Sequence, residues 1–424
     1  MRSINIINKV AKKVGRILVA RSKKVTPVKE EKDLNVGGTN IDMSELAKAG
    51  FVMLEDSTYG NVDNIIPTGL PALDLTMGGG ITLSRVTQVY GKNASGKSMV
   101  AIQTLKMALS MGVAVVYLDS EGTFSKDNLR NMGIDPNKIL VPEVSKTNPE
   151  GLTIEAMGES IEATLGIFDR YDKPVLFVLD SVGASLSKKE LSLDLDSEQP
   201  GIQAKAITKM IKKVAPQITL SGGGLFLLNH VRDAINGGPF SSVNVPGGRA
   251  LEHALSLNMQ IARRKTIKRG EDSVGHVAKF SNKKSKVSDP FQVAEQFLFN
   301  AQGFNEMVNT IFTGEELKLV KVRTAGSKGK IVEVPNAETG EVEALPYWDF
   351  LEEIATPEGA EEYMYFLKPV FQKIVKHYFP ADYPPLHNTK VDIRKNPLYE
   401  GLDKLYKEED ISGQSDTEKD DNKE

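Results

Sequence analysis

The octapeptide GKNASGKS at residues 91–98 constrains this chain more than any other stretch. It fits the pattern G-x-x-x-x-G-K-[ST]. It lies between an apolar segment, VTQVYG, and an apolar-periodic one that predicts a helix over 97–111. Strand, glycine-rich turn and helix in that order are the context in which the pattern makes a phosphate-binding loop. Gly91 and Gly96 let the backbone fold into a concave nest, so that the N–H groups of Lys92, Asn93, Ala94 and Ser95, with the helix N-terminus, face an anion. Lys97 reaches the outer phosphates and Ser98 offers its hydroxyl to Mg²⁺. The octapeptide therefore predicts a nucleoside triphosphate site.

The flanking sequence predicts the sheet that carries such a loop. VAVVYLD (113–119), PVLFVLD (174–180) and GGLFLLN (223–229) are uninterrupted apolar runs, as strands buried on both faces of a parallel sheet require. Helical patterns over 126–132, 150–169 and 202–217 separate them, with a further short strand over 138–141. Strands alternating with helices predict a doubly wound α/β fold with a mostly parallel sheet. Ligands of such sheets gather at the carboxyl ends of the strands. Asp180 is thus the expected second Mg²⁺ group, acting directly or through water. Glu121, just beyond strand 113–119, is the candidate general base, provided that its strand lies beside the strand of the phosphate loop.

The pattern then changes. Residues 230–249, HVRDAINGGPFSSVNVPGGR, form a long loop with four Gly, two Pro and one aromatic, Phe240. Loops of that length in a compact domain are functional or disordered. Residues 255–299 predict several short strands that extend the sheet. A charged stretch over 324–345 leads into a helical module whose aromatics suit a small separate core. The expected divisions are 1–40, a basic N-terminal helix and linker; 41–323, the nucleotide-binding core; 324–407, the C-terminal module; and 408–424, an acidic disordered tail.

Charge marks both ends. Residues 1–29 hold nine Lys or Arg and no acid, whereas 408–424 hold eight Asp or Glu against two Lys, behind a net charge of only −3. Ile4, Ile7, Ala11, Val14 and Leu18 recur at helical spacing, so the N-terminus predicts a basic amphipathic helix. Oligomer contact and organelle targeting both fit that pattern. The chain has no Cys, and its five His show no zinc spacing. That excludes a disulfide framework and thiolate metal centres. No apolar run approaches a membrane span.

Several segments together carry a family resemblance. TGLPALDLTMGGGITLSRVTQVYGKNASGKS, YLDSEGTF with LRNMGIDP, LFVLDSVGASLSKKEL, LFLLNH and PGGRALEHALSLNMQIARR follow one another in the order and spacing of RecA-type recombinases, over about residues 60–300. The chain looks closest to the phage, UvsX-type branch. There the strand before the long loop also ends in Asn-His, and a Glu-Thr-Gly-Glu stretch, AETGEVEALPYWDF here, precedes a helical C-terminus.

The resemblance implies a RecA-like P-loop ATPase core that binds ATP and Mg²⁺. It further implies filaments on single-stranded DNA, pairing with a homologous duplex, self-assembly, and a cytoplasmic setting in a bacterial host. Single-strand-binding and loader proteins are the further partners expected. Two loops, 186–201 and 231–248, correspond to the family's DNA-contacting loops. They place Lys188 and Lys189 in the first, and Arg232, Phe240, Gly247, Gly248 and Arg249 in or beside the second. His230 takes the place of the family's γ-phosphate sensor. Lys284 and Lys286, a Lys-x-Lys pair just before Pro290 and Phe291, match residues that reach the neighbouring subunit's ATP; a solvated basic turn is the other reading of that segment.

Two positions depart from the family. Asn128 stands where an aromatic stacks on adenine, leaving Tyr117, Phe124 or another side chain as the substitute. Glu252 stands where bacterial members carry a subunit-contact Lys. The competing readings are a hexameric RecA-fold helicase and a mediator that binds ATP without efficient hydrolysis. A P-loop metabolic kinase would need an Arg-rich lid, which the sequence lacks.

Overall fold

The structure is a computed structural model, and it describes residues 34–36, 39–54, 64–122, 125–144, 152–193, 201–231, 245–300, 302–326 and 329–406. The N-terminal helix expected within 1–33 and the tail over 408–424 lie outside these residues, as do Phe124, Arg232 and Phe240.

A short hairpin, β1 (Leu34–Val36) and β2 (Thr39–Ile41), precedes α1 (Met43–Lys48). The core opens with β3 (Ile65–Ile66), α2 (Pro71–Met77), β4 (Ile81–Thr82), β5 (Val86–Gly91) and α3 (Lys97–Ser110). It continues through β6 (Ala114–Asp119), α4 (Lys126–Asn131), β7 (Ile139–Leu140), α5 (Ile154–Arg170) and β8 (Val175–Asp180). Next come the one-turn α6 (Lys188–Leu191), α7 (Ile202–Ser221), β9 (Gly224–His230) and α8 (Gly248–Ala254). Strands β10 (Leu257–Arg269), β11 (Asp272–Ser285) and β12 (Val293–Phe299) complete the main sheet.

Its eight strands run in the order β12-β11-β10-β5-β9-β8-β6-β7. From β10 to β7 neighbouring strands are parallel, while β11 and β12 are antiparallel. Alternation along each strand divides the core into two layers. Leu176 and Val178 face α3, whereas Phe177 and Leu179 face α5 and α7. Burial on both faces is why these strands read as continuous apolar runs.

Three expectations need correction. Residues 255–299 are not several short strands: β10 has 13 residues and β11 has 14, paired throughout with register shifts. The inner half of β10 alternates in and out of the core and its outer half, beyond Ile261, is largely exposed, although β11 beside it stays buried from Gly275 to Ala278, where it pairs with β12. Polar residues on both faces hide that outer half from a periodicity argument.

The charged stretch before the C-terminal helices is a three-stranded antiparallel sheet, β13 (Val322–Thr324), β14 (Lys330–Pro335) and β15 (Val342–Pro346). It follows α9 (Glu306–Glu316) and precedes α10 (Tyr347–Ile354), α11 (Pro357–Glu362) and α12 (Met364–Tyr378).

The C-terminal aromatics also do not form a separate core. Phe350, Phe371, Tyr383 and Tyr399 belong to one buried cluster with Leu70, Leu105 and Val308. The chain beyond α12 returns to the start of the core, where Asn388 Nδ2 donates to Ile65 O and Ile65 N–H donates back to Asn388 Oδ1, both at 2.8 Å.

Candidate active site

The phosphate loop joins β5 to α3. Ala94 and Gly96 both have positive φ, 56° and 100°, which curls the loop into a nest of N–H groups. At Gly91 an added Cβ would lie 2.3 Å from Ile261 O, so only glycine lets β5 lie this close to β10. Lys97 is buried, and its ammonium donates to the carbonyls of Gly91 (3.2 Å) and Lys92 (3.0 Å). Burial pulls its pKa down, and the nearby Asp180 and Glu121 carboxylates oppose that.

Asp180 ends β8 and is 1% exposed. Tyr117 OH donates to its Oδ2 at 2.9 Å, and the Ser98 hydroxyl also bonds to the carboxylate. Burial raises the Asp180 pKa against the pull of those two donors. The Tyr117 bond removes one of the expected substitutes for the missing adenine-stacking aromatic. Tyr117 is 1% exposed and serves Asp180, so it is closed to a base. Asn128 lies exposed on α4.

Glu121 requires another correction. Its strand β6 is not beside the phosphate-loop strand; β9 and β8 lie between them. The carboxylate nevertheless arrives at the loop through a bonded chain. Asp119 Oδ1 accepts from the N–H groups of Glu121 (3.1 Å) and Gly122 (2.9 Å), which fixes the turn after β6. Glu121 Oε1 accepts from Ser181 Oγ at 2.6 Å and from His230 Nε2 at 2.6 Å. His230 Nδ1 lies 2.9 Å from Asn93 Oδ1 in the phosphate loop itself. Burial raises the Glu121 pKa, but the bonds from Ser181 and His230, with the charge of Lys97, outweigh it and the net direction is down. A carboxylate so held stays ionised at neutral pH.

Ser181 is a residue that sequence reasoning missed. It follows Asp180 directly, yet only the three-dimensional approach of β6 and β8 reveals its bond to Glu121. Lys205, Lys209 and Lys212 were not singled out from the sequence either. They are exposed along one face of α7, the helix that follows the first expected DNA loop, and line an open groove there with Thr208. Their spacing in KAITKMIKK was a legible signal.

The other expected residues fall as follows. Lys188 opens the one-turn α6, with its N–H on Glu155 Oε2 (2.9 Å) and its ammonium 4.0 Å from Glu159. Lys189 is exposed beside it. Gly247 and Gly248, with φ of 116° and 65°, form the entry to α8, and Arg249 lies exposed on its first turn. Lys284 donates to Glu252 O, and Lys286 donates to His253 O at 3.3 Å, so both ammoniums sit on the last carbonyls of α8. Phe291, nearby, is 78% exposed with φ of 64°.

The residues present fit ATP and Mg²⁺. The nest of N–H groups and Lys97 suit a polyphosphate. Mg²⁺ at such sites takes one or two protein groups plus phosphate oxygens, and the Ser98–Asp180 pair supplies them. Among the described residues no group of three or more His, Asp or Glu could hold a metal alone. No described helix is long and apolar enough to cross a membrane.

A family model for the RecA N-terminal domain matches residues 32–305. Among curated proteins, Protein RecA of Paenarthrobacter aurescens (strain TC1) is 28% identical over 292 residues, covering 69% of this chain and 80% of that protein. Protein RecA of Roseiflexus sp. (strain RS-1) is 28% identical over 293 residues, covering 69% and 80%. Protein RecA of Mycobacterium sp. (strain KMS) is 29% identical over 287 residues, covering 68% and 79%.

Proposed function

The chain belongs to the RecA family, and from that premise we propose that it is an ATP-dependent DNA recombinase acting in recombination and repair. In this reading it assembles on single-stranded DNA, hydrolyses ATP in response, and pairs the bound strand with a homologous duplex. One observation carries it: the bonded chain Asn93–His230–Glu121. It joins the nucleotide loop, a catalytic carboxylate and the root of a DNA loop at a single point.

Each residue has a part in the chemistry. The loop amides of 92–96 and Lys97 hold the phosphates, and Lys97 offsets negative charge that develops there. Ser98 and Asp180 would hold Mg²⁺, and when bound the ion would supply neutralisation of the phosphate oxygens. Glu121 orients water and accepts its proton. Its bonds from Ser181 and His230 tie up Oε1, so release of His230 toward the nucleotide frees the base. His230 thus reports the nucleotide to the loop that begins at residue 231.

Lys284 and Lys286 act in the same reading on the neighbouring subunit's ATP, much as an arginine finger does. The exposed Phe291 beside them supports a subunit contact there. Lys188, Lys189, Arg232, Phe240 and Arg249, together with the lysines of α7, form the surface for the DNA backbone. Gly247 and Gly248 add backbone N–H groups. Binding of that kind is insensitive to sequence and weakens steeply with salt. A place in the phage branch, and work in a bacterial cytoplasm beside single-strand-binding and loader proteins, belong to the same proposal.

The test is hydrolysis of ATP with and without single-stranded DNA. The wild type is expected to be slow alone and strongly stimulated, and Lys97→Ala to lose both rates. A helicase would instead form rings that unwind duplex, and a non-hydrolysing mediator would show no stimulated rate.

A further inference from the structure

Two buried amides behind the site have no part in the chemistry above. Asn229, the residue before His230, is 0% exposed, and Gln88 on β5 is 2% exposed. Asn229 Nδ2 donates to Gln88 Oε1 at 3.1 Å and to Pro246 O at 2.7 Å, while its Oδ1 accepts from His230 N–H at 3.0 Å. Gln88 Nε2 then donates to Asn258 Oδ1 on β10 at 3.0 Å. Because β5 lies between β9 and β10, the two amides form one bonded line across three strands.

Where the line ends gives it meaning. Asn229 precedes the loop that leaves at Val231, and Pro246 is where the chain comes back. The Asn229–Pro246 bond therefore closes the neck of that loop. Val231 N–H also donates to Gly91 O at 3.3 Å, so the neck rests on the first residue of the phosphate loop. From Pro246 the chain enters α8 within two residues, and the far end of α8 carries Lys284 and Lys286. Buried amides whose donors and acceptors are matched hold one geometry, since a lost partner leaves a desolvated polar group.

We infer that Asn229 and Gln88 are positioning residues: they clamp the neck of the second loop to the phosphate-loop strand, so that DNA held by the loop is read at the nucleotide and along α8. The inference rests on the recombinase reading. It adds two residues, outside the phosphate loop and the sensor, on which coupling depends.

Asn229→Asp keeps size and shape but turns the Pro246 contact into oxygen against oxygen. A bond to Gln88 can still form by rotation of the Gln88 amide. Gln88→Leu does the reverse, leaving the Pro246 bond and removing the line to β10. Purified variants would be compared with wild type for ATP affinity, basal hydrolysis and hydrolysis at saturating single-stranded DNA. For both, ATP affinity and basal rate are expected within about twofold of wild type. Stimulation at saturating DNA is expected to fall about tenfold or more for Asn229→Asp, a coupling loss of ordinary size, and less for Gln88→Leu.

Hydrogen exchange gives a second readout. ATP should slow exchange of the amides of 248–254 in wild type and not in Asn229→Asp. If Asn229→Asp does not fold, Gln88→Leu and its exchange pattern decide alone. Wild-type stimulation in a folded variant overturns the inference, and so does an equal loss of ATP affinity and stimulation, which marks a merely structural role. A wild-type chain that DNA does not stimulate overturns the recombinase reading, and this inference with it.

Discussion

Asp74 on α2 shows how far one residue's behaviour depends on its surroundings. It is 0% exposed, and its Oδ1 accepts from Thr68 N–H (2.8 Å) and Thr68 Oγ (2.7 Å). Its Oδ2 is buried without a partner, and the buried Tyr383 and Tyr399 lie near enough to feel its charge. Burial pushes the carboxyl from its ordinary 3.8 up to about 8, against the pull of the Thr68 bonds. Between about pH 4 and pH 8 the folded chain therefore keeps a proton that the unfolded chain has lost, and stability falls as pH rises through that window. Asp74→Asn retains an acceptor for Thr68 and does not titrate. Urea unfolding from pH 5 to 8 should show a shallower decline for the variant; an unchanged slope would show that Asp74 does not titrate there. The sequence offers no sign of this, since TGLPALD says nothing of the tyrosines that lie more than 300 residues away. Lys97, Ser98 and Asp180 were legible because a short local pattern fixes where they point. Ser181 was not, because its partner comes from another strand.

At the scale of elements, α8 and the β10–β11 hairpin carry the most consequence. Lys284 and Lys286 lie on the carbonyl end of α8, where cations are favoured by the helix dipole. They thus hold the helix that leaves the second loop while facing outward beside Phe291. Replacing both by Ala is expected to lower DNA-stimulated hydrolysis about a thousandfold, the lower end of the range for a cation supplied in trans. Mononucleotide affinity should stay within about twofold, checked by titration with a fluorescent nucleotide; a parallel loss of affinity would place the lysines in their own subunit's site. The hairpin's outer half is pinned to α10, where Arg269 pairs with Asp349 (2.5 Å) and Glu352 (3.2 Å). Strand periodicity predicted its inner half. Its outer half owes its form to cross-strand hydrogen bonds and to that docking, neither of which has a local signature.

Across the whole molecule, nucleotide core and C-terminal chain share one interior. Phe371 on α12 is 0% exposed and packs edge-on against Tyr399 with ring centroids 5.0 Å apart. Both belong to the cluster that also contains Leu105 of α3. Phe371→Ala should cost about 3–5 kcal/mol. The nucleotide site should unfold in the same calorimetric transition as the C-terminal helices, and a separate early transition for those helices would argue against the shared core. The pair between buried Glu306 and half-buried Lys106 (2.9 Å) adds a polar tie between α9 and α3.

The sequence alone determined the phosphate loop, the parallel strands and the order of helices, because each follows from a repeat of a few residues and from burial on known faces. It also placed Asp180 at the end of one buried strand and Glu121 just beyond another. Only the tertiary structure decided which strands are neighbours. That choice sets Glu121 three strands from the phosphate loop and brings it back through Ser181, His230 and Asn93. It likewise merged the C-terminal aromatics with the nucleotide core and drew the Asn229–Gln88 line across three strands. Contacts of this kind join residues tens or hundreds of positions apart, and a local pattern records what a side chain can bury or bond, not which distant partner it meets.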